Sequence, residues 1–351
     1  MEDLISKVKQ NKQIDFVLTD RHRSDLELLL NGGFFPLDTF NNKNDYNLIL
    51  DKMELSDGTI WPIPITLDLT SKFINDNSIK VGSILSLREK EGFLNATLKI
   101  SEIWRIDKAR EANSIYGTND KKHPGVSYLY DVMGDYYISG ALTKIALPKH
   151  YDYTELRHSP KQLKGKFKQM KWDKVVAFQT RNPMHQAHKE IALKAANDCN
   201  ANLLIHPVVG PTKPGDIDHF TRVRCYKKIL KYFPENSSFL SLLPLAMRMA
   251  GPREALWHAL IRKNYGCTHI VVGRDHAGPG NDSQGKPFYG AYDAQDLMLK
   301  YEHRIGIKMV PFKMMVYAKN RSDYIELDKV TKDDETLNIS GSQLREKLVK
   351  G

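Results

Sequence analysis

The chain has 351 residues, of which 41% are hydrophobic and 27% charged, and its formal net charge is +10. This composition is typical of a folded globular protein and excludes an intrinsically disordered one, while the length favours two domains over one. The excess of positive charge favours anionic partners, either nucleic acid or small phosphates and sulfates, although an ordinary lysine-rich surface produces the same balance.

The cysteines and the apolar runs bear on the cellular compartment. The three cysteines are isolated in sequence and form no C-x-x-C pair, which argues against a disulfide framework and a structural zinc site. No uninterrupted apolar run approaches the roughly 20 residues of a membrane-spanning helix, and the N-terminus has no apolar signal-like segment. We therefore expect a cytoplasmic protein with no membrane partner.

Residues 1 to about 150 are predicted to be irregular and rich in β-strands. Short apolar stretches such as 60–69 are separated by Gly, Pro, Asn and Asp, which mark turns. One early helix is predicted over 23–33, with Ser24 as its cap and Gly32 at its end. This half of the chain contains no evident catalytic cluster.

After about residue 152 the pattern alternates between strands and helices. The predicted strands cover 174–179, 202–209, 238–245 and 268–275, and the predicted helices begin at Pro183 or cover 219–233 and 252–266. Continuous apolar strands separated by helices of this length indicate a doubly wound parallel sheet, in which ligands bind beyond the carboxyl ends of the strands.

The last part of the chain is predicted to continue this alternation. A helix over 292–306 leads into a strand over 308–317. Ser340 and Gln343 have capping-box spacing, which predicts a short final helix within 339–351.

A cluster of polar residues follows the first of the predicted parallel strands. In the motif QTRNPMHQAH (179–188) these are Gln179, Thr180, Arg181, Asn182, His185 and His188. Pro183 suits the first position of a helix, which predicts Asn182 as the N-cap and places both histidines on one face near the helix start. Backbone amides, the helix dipole, a guanidinium and two imidazoles then converge, so the motif predicts an anion site that a polyphosphate fits best.

The two histidines of this motif could also have a purely structural role or bind a metal. Most histidines on helices simply pack against neighbours or lie on the surface. Zinc is a rival ligand, but the spacing is H-x-x-H rather than H-E-x-x-H and no third protein ligand is evident. We therefore expect no zinc and no resident metal site.

A second motif, VVGRDHAGPGNDSQG (271–285), places a glycine-rich loop after another predicted strand. Its glycines allow the backbone to approach a ligand closely. Arg274 and His276 add donors, and Asp275 can accept a hydrogen bond from a ribose or adenine. The alternative is a plain loop with turn glycines.

A third segment, 246–263, places Arg248 and Arg253 beside a Gly-Pro turn at a helix start. It is either a mobile basic cover over bound phosphates or a charged loop, and the sequence favours neither.

The motifs QTRNPMHQAH and GRDHAGPG (273–280) together resemble the two signature sequences of the ATP sulfurylase, or sulfate adenylyltransferase, family. Further similarity extends over nearly the whole chain, through 29–40, 56–69, 123–130, 246–266 and 340–348. The resemblance implies a β-rich PUA-like N-terminal domain, a doubly wound, Rossmann-like nucleotidyltransferase domain and a small C-terminal α/β subdomain. We expect their boundaries at 1–151, 152–311 and 312–351.

The resemblance implies that ATP and sulfate react to give adenosine 5′-phosphosulfate and pyrophosphate, with Mg²⁺ carried by the ATP. It assigns catalysis to Thr180, Arg181 and Asn182, and sulfate binding to Gln179, Arg181 and the backbone N–H of Ala277. It assigns ATP binding to Gln179, Asn182, His185, His188, Gly273, Arg274, Asp275, His276 and Met315, the last beside the adenine. Sulfate carries no proton near neutral pH, so its attack needs positioning and charge stabilisation and no general base.

The family resemblance also bears on the assembly of the protein. The chain ends soon after 340–348, so we expect neither the kinase-like fourth domain of fungal relatives nor its allosteric control, and we favour a homodimer over a hexamer.

Adenylyltransferases that act on phosphopantetheine or nicotinamide mononucleotide share H-x-x-H but lack QTRN and GRDHAG. An RNA-binding PUA-domain protein should carry a basic stripe interleaved with aromatic residues, and none is evident. We therefore expect no nucleic acid partner.

Overall fold

The computed structural model describes residues 13–312 and 315–337 of the chain. Its N-terminal part forms a mixed sheet of five strands in the order β1-β3-β4-β5-β2, in which only β1 and β3 are parallel. These strands are β1 (Gln13–Val17), β2 (Leu67–Leu69), β3 (Ile84–Arg88), β4 (Leu94–Arg105) and β5 (Tyr136–Lys144). Apolar residues of β3 and β4, such as Leu85, Leu87 and Leu98, are buried in the core.

Five helices accompany this sheet, although the sequence predicted only one. They are α1 (Asp20–Asn31), α2 (Lys43–Lys52), α3 (Ser71–Asp76), α4 (Lys108–Tyr116) and α5 (Pro124–Asp131). Helix α1 begins before the predicted start, because Thr19 and not Ser24 accepts the capping hydrogen bond, from the N–H of His22. Its end was predicted correctly, since Gly32 adopts a left-handed conformation with φ 83°. The four missed helices have only six to ten residues, too few for a clear apolar period.

A second sheet lies in the middle of the chain and is parallel throughout. Its order is β10-β9-β6-β7-β8, with β6 (Val175–Phe178), β7 (Asn202–Ile205), β8 (Ser238–Leu240), β9 (His269–Val272) and β10 (Lys308–Pro311). The chain adds strands on one side of β6 and then returns to add β9 and β10 on the other. The predicted doubly wound parallel sheet is thus confirmed, and its strand order reverses between β6 and β9.

Helices connect the strands of this parallel sheet. Helix α6 (Pro160–Gln169) precedes β6, and the connecting helices are α7 (Gln186–Asp198), α8 (His219–Ile229), α9 (Gly251–Asn264) and α10 (Asp293–Ile305). Helix α9 is the most enclosed of them, because ten of its residues are buried, including charged ones. Among the described residues no helix is long and apolar enough to cross a bilayer.

The predicted strand over 308–317 is wrong, because two separate strands occupy this range. Strand β10 ends at Pro311, whereas β11 (Met315–Ala318) belongs to a small antiparallel sheet with β12 (Asp323–Glu326) and β13 (Thr336–Leu337). The helix predicted within 339–351 lies outside the described residues. So does the segment 340–348, which is one of those that carry the family resemblance.

Arg248 and Arg253 tie the third segment to the N-terminal part of the chain. Arg248 forms a salt bridge with Asp25 at 2.5 Å, and both side chains are at most 4% exposed. Arg253 donates to the backbone carbonyls of Ile49, Leu50 and Pro62. Neither arginine is therefore a mobile cover over phosphates or part of a solvated loop. Their charges are used to join two parts of the fold.

Candidate active site

A cavity of about 320 Å³ lies where β6 and β9 end, at the point where the strand order reverses. Residues of both motifs line it: Gln179, Thr180, Arg181, Asn182, His188, Gly273, Arg274, Asp275, His276 and Ala277. Met315 also lines it, from the beginning of β11. Of the site residues named from the sequence, only His185 is not part of this lining, and its ring centroid lies 4.0 Å from that of His188. The fold thus brings together segments nearly 100 residues apart.

The turn after β6 is held by its own side chains and not by a helix cap. The Thr180 hydroxyl accepts from the N–H of Asn182 at 3.0 Å and lies 3.2 Å from its carbonyl oxygen. That carbonyl also accepts from the Tyr226 hydroxyl at 2.8 Å. The prediction that a helix starts at Pro183 is therefore wrong, because these contacts hold Asn182 in a separate turn.

Helix α7 instead begins at Gln186, with His185 as the residue before its first turn. The backbone of His185 is extended, and its side chain makes no capping hydrogen bond. The first amides of an α-helix have no partner within the helix, and they carry its positive partial charge. The start of α7, beside His188, thus keeps the character of an anion site, one turn later than the sequence indicated.

The two histidines of this motif are neutral when no anion is bound. Burial lowers the pKa of His185, and burial together with the neighbouring His185 lowers the pKa of His188 to about 3. Among the described residues the buried Nδ1 of His188 has no hydrogen-bond partner. The two imidazoles therefore carry no charge of their own and serve as hydrogen-bonding groups unless an anion raises their pKa.

Arg181 is held by a residue that the sequence did not suggest. Its Nη1 lies 2.5 and 2.6 Å from the two carboxylate oxygens of Asp216. In the same loop, Lys213 donates to the carbonyl of Pro279 in the second motif. A signal was available, because the segment PTKPGD (211–216) follows β7 and must emerge at the same edge of the sheet.

The second motif forms a tight turn that brings its backbone to the cavity. Asp275 and Ala277 have left-handed φ values of 51° and 55°. The N–H of Gly278 donates to the carbonyl of Asp275 at 3.1 Å, and a Cβ at Gly278 would lie 1.8 Å from Oδ1 of Asp275. A side chain at this position would displace the Asp275 carboxylate, so the turn is specified more tightly than a plain loop would be. Burial raises the pKa of Asp275, and the nearby Arg181 opposes this.

A row of polar side chains on α9 supports both motifs from inside the protein. Glu254, His258 and Arg262 are spaced four residues apart and are wholly buried. Arg262 donates to the side-chain oxygen of Gln179 at 2.5 Å. His258 Nδ1 lies 3.0 Å from Nε2 of His276. Sequence reasoning missed this row, although three polar residues on one line, with only apolar residues between them, were a usable signal.

The chemistry of this arrangement is that of an anion and nucleotide site. Gln179, Arg181 and His188 line a cavity that also includes the backbone turn of the second motif and the apolar Met315. Within the described ranges no group of three or more His, Cys, Asp and Glu residues is arranged to hold a metal ion. The donors of this lining can position and stabilise anions.

Family comparisons cover both parts of the chain. A model of the ATP-sulfurylase family matches residues 154–351, and a model described as a PUA-like domain matches residues 2–147. The second match confirms the PUA-like N-terminal domain.

Three curated relatives, each named sulfate adenylyltransferase, match almost all of this chain. The protein of Schizosaccharomyces pombe is 52% identical over 95% of this chain and 68% of its own length. That of Saccharomyces cerevisiae is 50% identical over 99% and 67%, and that of Mycosarcoma maydis is 49% identical over 96% and 59%. The chain thus spans between about three fifths and two thirds of the length of these relatives.

A solved structure is also similar. The structure described as a hexameric APS kinase from Thiobacillus denitrificans has a TM-score of 0.76 and 26% sequence identity, covering 99% of this chain and 60% of the other.

Proposed function

This chain belongs to the ATP-sulfurylase family, and from that premise we propose that it is a sulfate adenylyltransferase. The reaction joins ATP and sulfate to give adenosine 5′-phosphosulfate and pyrophosphate, and the same site catalyses the reverse, ATP-forming reaction. The observation that carries the proposal is the single cavity that collects residues of both motifs at the reversal of strand order.

In the proposed mechanism, a sulfate oxygen attacks the α-phosphorus in line, without a covalent enzyme intermediate. A bond forms between this oxygen and the α-phosphorus while the bond from the α-phosphorus to the leaving pyrophosphate breaks. Gln179, Arg181 and the backbone N–H of Ala277 would hold the sulfate, and Thr180, Arg181 and Asn182 would stabilise the transition state. No proton has to be removed from sulfate, so positioning and electrostatic stabilisation are the main contributions of the protein.

Arg181 is suited to this role because Asp216 uses only one of its nitrogens. Both carboxylate oxygens contact Nη1, and a guanidinium has five N–H donors in a planar fork. The donors of Nε and Nη2 therefore remain for the sulfate and the α-phosphate. Asp216 orients the fork and also offsets part of its charge before the substrates bind.

The nucleotide would occupy the other side of the cavity. His185 and His188 would receive the β- and γ-phosphates of ATP, whose Mg²⁺ is carried with the nucleotide, and bound phosphate would raise the pKa of both imidazoles. The run Gly273–His276 would bind the ribose and adenine, with Met315 against the adenine ring.

We also propose a homodimer or a higher homo-oligomer, since one similar solved structure is described as hexameric. Analytical ultracentrifugation tests the assembly. The division at 1–151, 152–311 and 312–351 stays a prediction, which limited proteolysis tests through cleavage near the two boundaries.

The function is tested by pyrophosphate release from the purified chain with ATP and Mg²⁺, with and without sulfate, and in parallel with molybdate. Molybdate forms an unstable anhydride with the adenylyl group, so its turnover is not limited by the unfavourable equilibrium of the sulfate reaction. Release that depends on both anions supports the proposal. Tight ATP binding without stimulation by either anion favours another adenylyltransferase, and salt-dependent RNA binding without turnover favours an RNA-binding protein.

A further inference from the structure

Arg262 is a wholly buried charge directly behind the candidate active site. Its Nη2 donates to the side-chain oxygen of Gln179 at 2.5 Å and to the carbonyl of His206 at 3.1 Å. Burial lowers its pKa to about 10, so it stays protonated at neutral pH. Among the described residues its Nε and Nη1 have no hydrogen-bond partner, and no carboxylate lies within ion-pair distance.

A guanidinium in this state is unfavourable for folding by itself. Charged groups are rarely buried without a partner, because leaving water is costly and two unused donors add to that cost. Arg248 shows the usual solution nearby, since its equally buried side chain is paired with Asp25. The persistence of an unpaired charge at Arg262 therefore points to a role in the adjacent cavity.

The contact with Gln179 decides which end of that amide faces the cavity. A guanidinium has only donors, so the Gln179 atom that meets Arg262 must be the carbonyl oxygen. The amide nitrogen is then the end left for the cavity, which Gln179 lines. No described residue accepts a hydrogen bond from that nitrogen. In the opposite orientation Gln179 would present lone pairs to an anion and repel it.

We propose that Arg262 is a positioning residue for anion recognition, which fixes the Gln179 amide with its NH₂ group toward the cavity and places a positive charge behind it. The inference rests on the proposed function, in which Gln179 binds sulfate. It predicts a preference for fully ionised oxyanions such as sulfate and molybdate, which offer only acceptors to these donors.

The first test compares Arg262→Met and Arg262→Lys with the wild type in KM for sulfate, KM for ATP, kcat and thermal stability. Arg262→Met should raise the KM for sulfate by about tenfold or more, as expected for losing a charge-assisted hydrogen bond, with much less effect on the KM for ATP. Arg262→Lys should recover part of the loss, because an ammonium group can still donate to the Gln179 oxygen.

The matched control is Arg253→Met on the same helix. Arg253 donates to backbone carbonyls of the N-terminal part and does not line the cavity. This variant should lose thermal stability while its KM for sulfate stays unchanged. If Arg262→Met behaves in the same way, the role of Arg262 is structural and the proposal is wrong.

The second test approaches the contact from Gln179, so it holds even where an Arg262 variant fails to fold. Gln179→Glu keeps an acceptor for Arg262 and should retain thermal stability, but it should lose sulfate affinity because the donor is replaced by a negative charge. In a Gln179→Ala background, Arg262→Met should add little to the KM for sulfate. Normal sulfate affinity in Gln179→Glu, or an undiminished Arg262 effect without Gln179, overturns the proposal.

These outcomes are separable from a failure of the proposed function. If the wild type releases no pyrophosphate with sulfate or molybdate, the enzymatic assignment fails. Calorimetric titration with inorganic sulfate then still compares the wild type with Arg262→Met. Weaker sulfate binding by the variant supports the positioning role, and equal binding refutes it.

Discussion

The ion pair between Arg181 and Asp216 makes a quantitative prediction about stability and activity together. Arg181→Ala should abolish turnover and also destabilise the protein, since it leaves the Asp216 carboxylate unpaired when that side chain is only 4% exposed. Breaking a fully buried pair costs about 3–5 kcal/mol. Because the Arg181 side chain is 15% exposed, water can partly replace it, and we expect about 2–3 kcal/mol. Asp216→Asn added to Arg181→Ala should recover most of this loss, leaving about 1 kcal/mol, but none of the turnover.

The assay uses five proteins: the wild type, Arg181→Ala, Asp216→Asn, the double variant and Arg181→Lys. Urea unfolding gives the free energy of unfolding, and sulfate-dependent pyrophosphate release gives turnover. Arg181→Lys is the matched control for charge, because it keeps the pairing with Asp216 and most of the stability. It should recover little turnover, since a point charge cannot replace a planar fork that contacts two oxygens.

Three results would refute this role of Arg181. A double variant as unstable as Arg181→Ala means that the unpaired Asp216 carboxylate is not the cause of the loss. A double variant with restored turnover means that Arg181 does not hold an anion. Near-normal turnover in Arg181→Lys removes the bidentate role.

Three further predictions concern neighbouring residues. Asn182→Ala should lower kcat on the order of 10²–10³-fold with the fold kept, since the backbone carbonyl of Asn182 and not its side chain holds Tyr226; an unchanged kcat would remove its role. The pKa of His188 is about 3 in the fold against 6.5 when free, so its contribution to stability is complete above pH 6.5 and is lost as the pH falls. Between pH 7 and pH 5, the free energy of unfolding in urea should therefore fall by about 2 kcal/mol less in His188→Gln than in the wild type. An equal fall in both proteins contradicts this. His258→Phe removes the contact with His276 and should raise the KM for ATP while leaving that for sulfate unchanged, the reverse of Arg262→Met; equal changes in both KM values contradict it.

Local pattern predicted the parallel sheet well. The strands VVAF, NLLI and HIVV are buried along nearly their whole length, so they lack the alternation of a half-exposed sheet and indicate a parallel one. The same pattern located both motifs at carboxyl ends of strands, where a doubly wound sheet gathers its ligands. The existence of the cavity and most of its lining follow from this.

The start of α7 could not be predicted in the same way. Pro183 is a sound local signal for a first helical residue, but Tyr226, 44 residues away, bonds to the carbonyl of Asn182 and helps to hold a separate turn. The prediction failed because a tertiary contact outweighed a local preference. The split of the strand predicted over 308–317 likewise depends on which sheet each half joins.

The sequence by itself determined the alternation of strands and helices in the parallel sheet and which edge of that sheet carries the polar motifs, because periodicity and turn residues act within a few positions of the chain. Only the tertiary structure decided how the charges are used. Arg248 contacts Asp25, 223 residues away, and forms a buried ion pair with it. Arg262 contacts Gln179, 83 residues away, and lies behind the cavity without a carboxylate partner among the described residues. Both are arginines of one short segment, and their different roles come from the partners that folding brings to them, because the effect of a charge depends on its burial and its neighbours.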